Sequence, residues 1–286
     1  MKKKESLASA KASAFGRRSR LRPTKSASKA KIAIFSLTSD EGCQFTLLDL
    51  GEKFFNFLKR AELIDFPLIE EEPFPKRKGL TPDVKPFIDV AFLEGVPITK
   101  GDFSLLKKIR KEAKILVALG NCAALGGIPE MKNYQGKEKT IRFIYKKLNH
   151  ILNPEIKEID NFIKVDFAIP GCPINGEEFL KFANELIKGK IPEVCQSPVC
   201  SECPLRGNPK CFLARKEVCL GLITLAGCEA ICPKNEFPCL GCRGIFKGAN
   251  VKSFLKVLEK LAKKEEIEEN LEIFGIKDDV EKILKL

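Results

Sequence analysis

Twelve cysteines and one histidine limit the metal chemistry that this 286-residue chain can perform. Nine of the cysteines lie between residues 193 and 248, where the hydrophobic pattern loses its regular period. Thiolates bind structural zinc and iron–sulfur clusters, and the near absence of histidine excludes mixed Cys/His zinc sites. In a chain rich in Lys and Glu, so many cysteines favour metal or cluster binding over the disulfide frameworks of small secreted proteins.

The cysteine-rich segment contains two sets of four thiols, and each set includes a pair with a two-residue spacer that can direct two sulfurs to one centre. The first set is Cys200, Cys203, Cys211 and Cys219, and the second is Cys228, Cys232, Cys239 and Cys242. Four thiolates suit either zinc or a 4Fe–4S cubane, and spacing alone does not separate the two. Proline follows Cys172, Cys203 and Cys232, as it follows one cysteine of bacterial ferredoxins, which favours iron–sulfur.

Three further cysteines, Cys43, Cys122 and Cys172, each follow a predicted buried strand. The pattern predicts strands over 31–37, 87–93, 115–119 and 162–169, and helices over 44–60, 102–112, 176–188, 251–258 and 267–283. This alternation predicts an α/β fold, with a parallel sheet covered by helices on both faces. Because the carboxyl ends of parallel strands share one edge, we expect the three thiols to build one site there rather than to be independent core cysteines.

Composition and charge exclude several classes of protein. A hydrophobic content of 44% supports a folded core, and no stretch approaches ~20 uninterrupted apolar residues. Arg17-Arg18 is followed by more charge instead of an apolar signal sequence, so we expect a soluble, non-exported chain. Residues 1–31 hold eleven Lys or Arg and one acidic residue, and therefore ten of the twelve excess positive charges.

We expect residues 1–30 to be a disordered basic tail, because they contain too little apolar material to compensate the entropy of folding. The tail could bind nucleic acid or an acidic partner, or act as a transit-like peptide. The alternative is a plain solvated extension. The sequence shows no phosphate-binding glycine loop and no serine–histidine–acid set, and His150 lies in a Lys- and Asn-rich stretch typical of a surface.

Five motifs between residues 31 and 248 occur together. They are TSDEGCQ at 38–44, DVAFLEG at 89–95, GNC at 120–122 with GGIP at 126–129, PGCPI at 170–174, and CLGLITLAGCEAICPKNEFPCLGCRG at 219–244. In this combination the chain resembles the small, electron-transfer subunit of cytoplasmic nickel–iron hydrogenases, of the sulfhydrogenase delta and methyl-viologen-reducing hydrogenase gamma type. It resembles the 20 kDa subunit of NADH:ubiquinone oxidoreductase more distantly.

The resemblance implies a domain layout and three 4Fe–4S clusters. It implies a flavodoxin-like domain over 31–192 carrying the proximal cluster, an iron–sulfur domain over 193–248 with two clusters, and C-terminal helices over 249–286. By position, the clusters would be bound as follows: a proximal set of Asp40, Cys43, Cys122 and Cys172, a distal set of Cys200, Cys203, Cys211 and Cys219, and a medial set of Cys228, Cys232, Cys239 and Cys242.

Asp40 is a departure from the family pattern, which usually has Cys-x2-Cys at this point. The carboxylate lies three residues before Cys43, where the missing thiolate would lie, and oxygen is a harder ligand than sulfur. Asp40 either binds iron or caps the following helix. Glu94 matches an acidic position near the proximal site, where it either tunes the cluster or is an ordinary loop residue, and Cys195 belongs to neither set of four.

The resemblance also implies a cytoplasmic electron-relay subunit that is inactive alone, because the nickel-binding thiol pairs belong to the large subunit. Its partners would be that large subunit and a flavin- or iron–sulfur-containing subunit, with no membrane span. Two alternatives stay open from the sequence. One is an electron-transfer subunit of a complex-I-like assembly, and the other is a zinc-bearing, basic-tailed nucleic-acid-binding protein.

Overall fold

A five-stranded parallel sheet forms the centre of the amino-terminal half. The computed structural model describes residues 29–69, 87–134 and 150–285, so most of the predicted basic tail lies outside the described residues. The strands are β1 (Ala30–Ser36), β2 (Ala61–Asp65), β3 (Ile88–Glu94), β4 (Ala113–Leu119) and β5 (Phe167–Ile169). Their order is β2-β1-β3-β4-β5, and every neighbouring pair is parallel. This is the flavodoxin-like order, and the predicted α/β fold is confirmed.

Helices connect the strands and continue through the carboxyl-terminal part. They are α1 (Gly42–Asp49), α2 (Glu52–Leu58), α3 (Lys100–Glu112), α4 (Gly120–Leu125), α5 (Gly127–Tyr134), α6 (Gly176–Leu186), α7 (Ile231–Lys234), α8 (Val251–Leu258), α9 (Lys264–Glu272) and α10 (Ile276–Lys285). No helix in the described ranges is long and apolar enough to cross a bilayer.

Two predicted helices are each divided by a glycine. The helix expected over 44–60 is α1 followed by α2, and the chain turns at Gly51, whose φ is 53°. The helix expected over 267–283 is α9 followed by α10, with Gly275 at a φ of 75°. A positive φ suits glycine, which has no Cβ, and it ends the helical path.

Three further differences concern short elements. The sequence pattern does not predict strand β2, because only its two ends are fully buried and its hydrophobic pattern is weak. It does not predict helices α4 and α5 either, since each is short and rich in glycine or proline. The strand predicted over 162–169 is confined to β5, because residues 162–166 have turn, bend or irregular backbone instead of strand.

The sheet separates two hydrophobic layers. On one face, α2 and α6 pack aromatic residues against β3, with ring centroids 5.0 Å apart for Phe92 and Phe179 and 6.2 Å apart for Phe57 and Phe179. On the other face, α3 buries Leu106 and Ile109. Both faces of the central strands are therefore dry, which explains their continuous apolar sequences.

The cysteine-rich segment contains little regular structure and is covered by the last three helices. Val251, Phe254 and Leu258 of α8 are buried with residues of α9 and α10 against the chain around Leu220 and Ile223. The segment thus shares a hydrophobic core with the C-terminal helices, which supply apolar area that its loops lack.

Glu130 of α5 is a buried carboxyl group at the contact between α5 and the C-terminal helices. Only 5% of the residue is exposed, and within the described residues its Oε2 has no hydrogen-bond partner. A Cβ added to Gly275 would lie 2.2 Å from Oε2, so the glycine backbone closes over the carboxyl group. Burial, followed by the charges of Asp278 and Glu158, raises the pKa of Glu130 to about 8.

This pKa predicts a pH-dependent stability. Between the ordinary value of 4.5 and about 8, folded Glu130 keeps a proton that the unfolded chain has lost, so stability decreases as pH rises through this window. Glu130→Gln cannot ionise, and we expect it to raise the free energy of unfolding by about 2–5 kcal/mol at about pH 8.5, with little effect at about pH 4. Thermal unfolding followed by circular dichroism at both pH values would measure this.

Glu281→Gln is the matched control, because the Glu281 side chain is 51% exposed on α10. It should change the unfolding temperature little at either pH. An equal gain from Glu130→Gln at both pH values would contradict the argument.

Candidate metal and cluster sites

The carboxyl edge of the sheet contains a pocket lined by the residues of the proximal set. Asp40, Cys43, Cys122 and Cys172 line it together with Glu94, around a cavity of about 80 Å³. The residues come from the carboxyl ends of β1, β3, β4 and β5, which lie side by side. The structure therefore brings together the three thiols that the sequence places after separate strands.

Glu94, the last residue of β3, fixes the position of Cys43. Its carboxylate is 2% exposed and accepts the backbone N–H of Cys43 at 3.0 Å and that of Gln44 at 3.3 Å. The side-chain amide of Gln44 donates a further bond of 3.1 Å. These backbone donors belong to the first turn of α1, where N–H groups lack helical partners. Burial raises the pKa of Glu94, against the effect of these bonds.

Asp40 is both a pocket residue and a helix cap. It lines the pocket with the three thiols, and its negative charge is a further cause, after burial, of the raised pKa of Cys122, which is about 11. Its Oδ1 also accepts the N–H of Gly42, the first residue of α1, at 3.0 Å, so Asp40 caps this N–H through an Asx-type turn from one residue before the N-cap position, Glu41.

Gly120 leaves the space that the Cys43 sulfur occupies. Its φ is +85°, and a Cβ at this position would lie 2.4 Å from Cys43 Sγ. Gly120 begins α4 directly after β4, so the strand end passes against the thiol without a side chain between them. The local sequence Gly-Asn-Cys thus contributes to the site twice. Gly120 leaves room for the Cys43 sulfur, and Cys122 supplies a thiol of its own.

The medial set lines a second, larger cavity of about 520 Å³. Cys228, Cys232, Cys239 and Cys242 all contribute to it, and so does Cys172 of the proximal set. Cys172 therefore lies between the two cavities. Burial raises the pKa of Cys228 and of Cys242 to about 11.

The four thiols of the distal set are neighbours of one another. Burial raises the pKa of Cys200 to about 12, and the charges of Cys219, Cys203 and Cys211 contribute in the same direction. A Cβ added to Gly221 would lie 3.3 Å from Cys200 Sγ and 3.8 Å from Cys219 Sγ. The two sulfurs therefore lie on one side of this glycine backbone.

Backbone N–H groups directed at sulfur connect neighbouring sets. The N–H of Cys239, a medial residue, donates to Cys219 Sγ of the distal set at 3.3 Å. The N–H of Cys172, a proximal residue, donates to the sulfur of Cys242 in the medial set. The order of the three sets in space is therefore proximal, medial, distal.

Three other residues hold the sets together, and the motifs alone do not identify their roles. The buried Asn121 donates from its side-chain amide to the carbonyl of Cys242 at 2.9 Å. Glu202 and Arg243 contact the medial loops. Their positions within Cys-x2-Cys and directly after a Cys-x2-Cys pair are the available signals, but their partners are distant in sequence.

The donor sets fit thiolate-bound clusters. Among the described residues, no three His, Cys, Asp or Glu side chains converge closely enough to hold a single metal ion. In a cubane each thiolate binds a different iron, so its ligands surround a cavity, as those of the proximal and medial sets do here. Buried thiols with raised pKa values remain protonated at neutral pH unless a metal replaces the proton.

Cys195 and His150 do not line the cavities described above. Cys195 is exposed, and its sulfur lies 3.9 Å from the hydroxyl of Ser197. His150 is also exposed.

Gly120→Ala tests whether the close approach to Cys43 is needed. The added methyl group would displace the Cys43 sulfur, and we expect the purified protein to lose about one cubane, or about four iron atoms per chain. Anaerobic iron analysis and EPR would measure the loss. Gly189→Ala is the control, because Gly189 also has a positive φ, of +74°, but no atom lies within 4 Å of its added Cβ. Equal iron contents in the two variants would contradict the role assigned to Gly120.

Comparison with known proteins shows which family the chain belongs to. A model of the family "NADH ubiquinone oxidoreductase, 20 Kd subunit" matches residues 41–186. The sulfhydrogenase 2 subunit delta of Pyrococcus furiosus is 33% identical over 249 residues, which cover 86% of this chain and 99% of that protein. A subunit of the vhu F420-non-reducing hydrogenase of Methanocaldococcus jannaschii is 33% identical over 243 residues, covering 75% of this chain and 81% of that protein.

A solved structure shows the same fold. The reduced, active form of the Ni-Fe-Se hydrogenase from Desulfomicrobium baculatum matches 76% of this chain and 94% of its own, with a TM-score of 0.51 and 16% identity. The chain belongs to the family of the 20 kDa subunit of NADH:ubiquinone oxidoreductase, and the curated relatives described above are subunits of hydrogenases.

Proposed function

We propose that the chain is the iron–sulfur electron-transfer subunit of a cytoplasmic nickel–iron hydrogenase. It would relay single electrons between the nickel–iron site of a large subunit and a flavin- or iron–sulfur-containing subunit. The observation that carries the proposal is the arrangement of three ligand sets in series, in which Cys172 lines both the proximal and the medial cavity and Cys239 contacts Cys219 of the distal set. The names of the relatives support the type of complex.

Each set would hold one 4Fe–4S cluster, and these clusters supply reversible one-electron chemistry when bound. Asp40, Cys43, Cys122 and Cys172 would hold the proximal cluster. Cys228, Cys232, Cys239 and Cys242 would hold the medial cluster, and Cys200, Cys203, Cys211 and Cys219 the distal one. The protein's own contribution is to fix these groups, to bury Cys43, Cys219 and Cys239, and to direct backbone N–H groups at the sulfurs.

The proposed domain layout follows the hydrophobic clusters. Residues 31–192 would form the flavodoxin-like domain, which contains the hydrophobic cores on both faces of the sheet. Residues 193–248 would form the iron–sulfur domain, which shares its core with C-terminal helices over 249–286. The chain would not split hydrogen alone, because the nickel-binding thiol pairs would belong to the large subunit.

Metal analysis separates this function from a zinc-bearing nucleic-acid-binding protein. Protein purified without oxygen should be brown and should contain about twelve iron atoms per chain, with a matching amount of acid-labile sulfide. Reduction should give EPR signals from more than one centre. A colourless protein with stoichiometric zinc would overturn the proposal.

Asp40 requires a test that separates a ligand from a helix cap. Asp40→Asn keeps an oxygen that can accept the N–H of Gly42 but removes the negative charge, whereas Asp40→Ala removes both. We expect both variants to lose or alter the proximal EPR signal, and Asp40→Cys to restore a four-iron signal with a changed potential. An unchanged proximal signal in the Asn and Ala variants would show that Asp40 is only a cap.

A further inference from the structure

Two side chains of opposite charge, Arg243 and Glu202, contact the loops that carry the medial set. Arg243 is the residue after Cys242, and Glu202 lies between Cys200 and Cys203 of the distal set. Both are held by several hydrogen bonds, so their charges have fixed positions. This inference rests on the function proposed above.

Arg243 is a buried cation, and its guanidinium N–H groups donate to backbone carbonyl oxygens. Only 2% of the residue is exposed. Its Nε donates to the carbonyl oxygens of Leu225 and Ala226, each at 3.1 Å, and its Nη1 donates to the carbonyl of Pro170 at 2.7 Å. Pro170 lies two residues before Cys172, so the guanidinium joins the proximal loop to the medial loop. Arginine keeps its charge at every accessible pH.

Glu178 of α6 forms an ion pair with this guanidinium. Its two carboxylate oxygens each lie 2.8 Å from a terminal nitrogen of Arg243. The negative charge of Glu178 partly compensates the buried positive charge of Arg243, because an unpaired buried charge is strongly unfavourable. Arg243 nevertheless lines the medial cavity together with Cys228 and Cys242, so its positive charge lies beside the medial thiols.

Glu202 brings a negative charge close to Cys228. Its carboxylate accepts the N–H of Gly227 at 3.1 Å and that of Ala230 at 3.1 Å, the residues on either side of the Cys228–Glu229 pair. Its Oε1 also lies 3.5 Å from Cys228 Sγ. A residue of the distal loop thus organises a medial ligand and is close enough to act on its charge.

One-electron reduction adds negative charge to the site that receives the electron. A nearby fixed cation stabilises that charge and a nearby anion opposes it, and both effects are stronger where water is excluded. With clusters bound at the three sites, an electron moving along the series would oxidise the proximal site as it reduces the medial site, and would then oxidise the medial site as it reduces the distal site. No bond forms or breaks in either transfer.

We propose that Arg243 and Glu202 set the reduction potential of the medial site in opposite directions, Arg243 raising it and Glu202 lowering it. They are positioning residues as well, because they bind the loops on which the medial thiols lie. The opposite signs are the feature that a purely structural role would not produce.

Redox titration of the anaerobically purified full chain, followed by EPR, tests this. We expect Glu202→Gln to move the midpoint potential of the medial signal upward, because the neutral amide is nearly isosteric with the carboxylate. Arg243→Gln should move it downward, and Arg243→Lys, which keeps the charge but not the fork of donors, should stay closer to the native value.

Glu229→Gln is the matched control, since Glu229 follows Cys228 directly but its side chain is 67% exposed and paired with Lys234. The same change of charge there should shift the potential much less, because water screens it. If Arg243→Gln fails to fold, the comparison of Glu202→Gln with Glu229→Gln remains decisive.

Shifts of the same sign in the Glu202 and Arg243 variants, or equal shifts in the Glu202 and Glu229 variants, would overturn the inference. Either result requires native protein with a titratable medial signal, so the proposed function would stand. Native protein without redox-active iron would instead overturn both.

Discussion

Backbone N–H groups directed at buried sulfur atoms are the interaction on which the arrangement of the three sets depends. Placing thiolates away from water is unfavourable, and the raised pKa values of the buried cysteines show that burial dominates their surroundings. Backbone donors oppose this at several sulfurs. The donors are Ile174 for Cys43, Ile128 for Cys122, Gly221 and Cys239 for Cys219, Ala230 for Cys228, Gly241 for Cys239 and Cys172 for Cys242. Loops and the first turns of helices can supply such donors, because their N–H groups have no partner within a helix or a sheet.

The sheet and the cysteine-rich segment hold their thiols in position in different ways. At the sheet, strand ends hold the thiols, and the burial of the strands on both faces makes those ends rigid. In the later segment the hydrophobic contacts come from outside it, through Val251 and Phe254 of α8. Asn121 joins the two parts by donating to the carbonyls of Cys242 and Phe274.

The sequence predicts the parts of the fold that depend on local pattern. The apolar run at 90–93, within the strand predicted over 87–93, indicates a strand buried on both faces, and the spacing of cysteines after strands places three thiols at one edge. Strand β2 and the break at Gly51 are not predicted, because a half-buried five-residue strand and a single glycine leave weak signals. The roles of Glu202 and Arg243 follow from bonds to residues that are distant along the chain, and no periodicity reports such bonds.

The position of Glu202 makes two of the cysteine loops depend on each other. A side chain between two distal cysteines binds the amides around medial Cys228, and the amide of medial Cys239 binds distal Cys219. Each of the two loops therefore holds part of the other in place, and a change in one loop is transmitted to the other. The thiol of Cys43 is positioned differently, because Glu94 at the end of β3 and Gly120 directly after β4 fix it against the sheet.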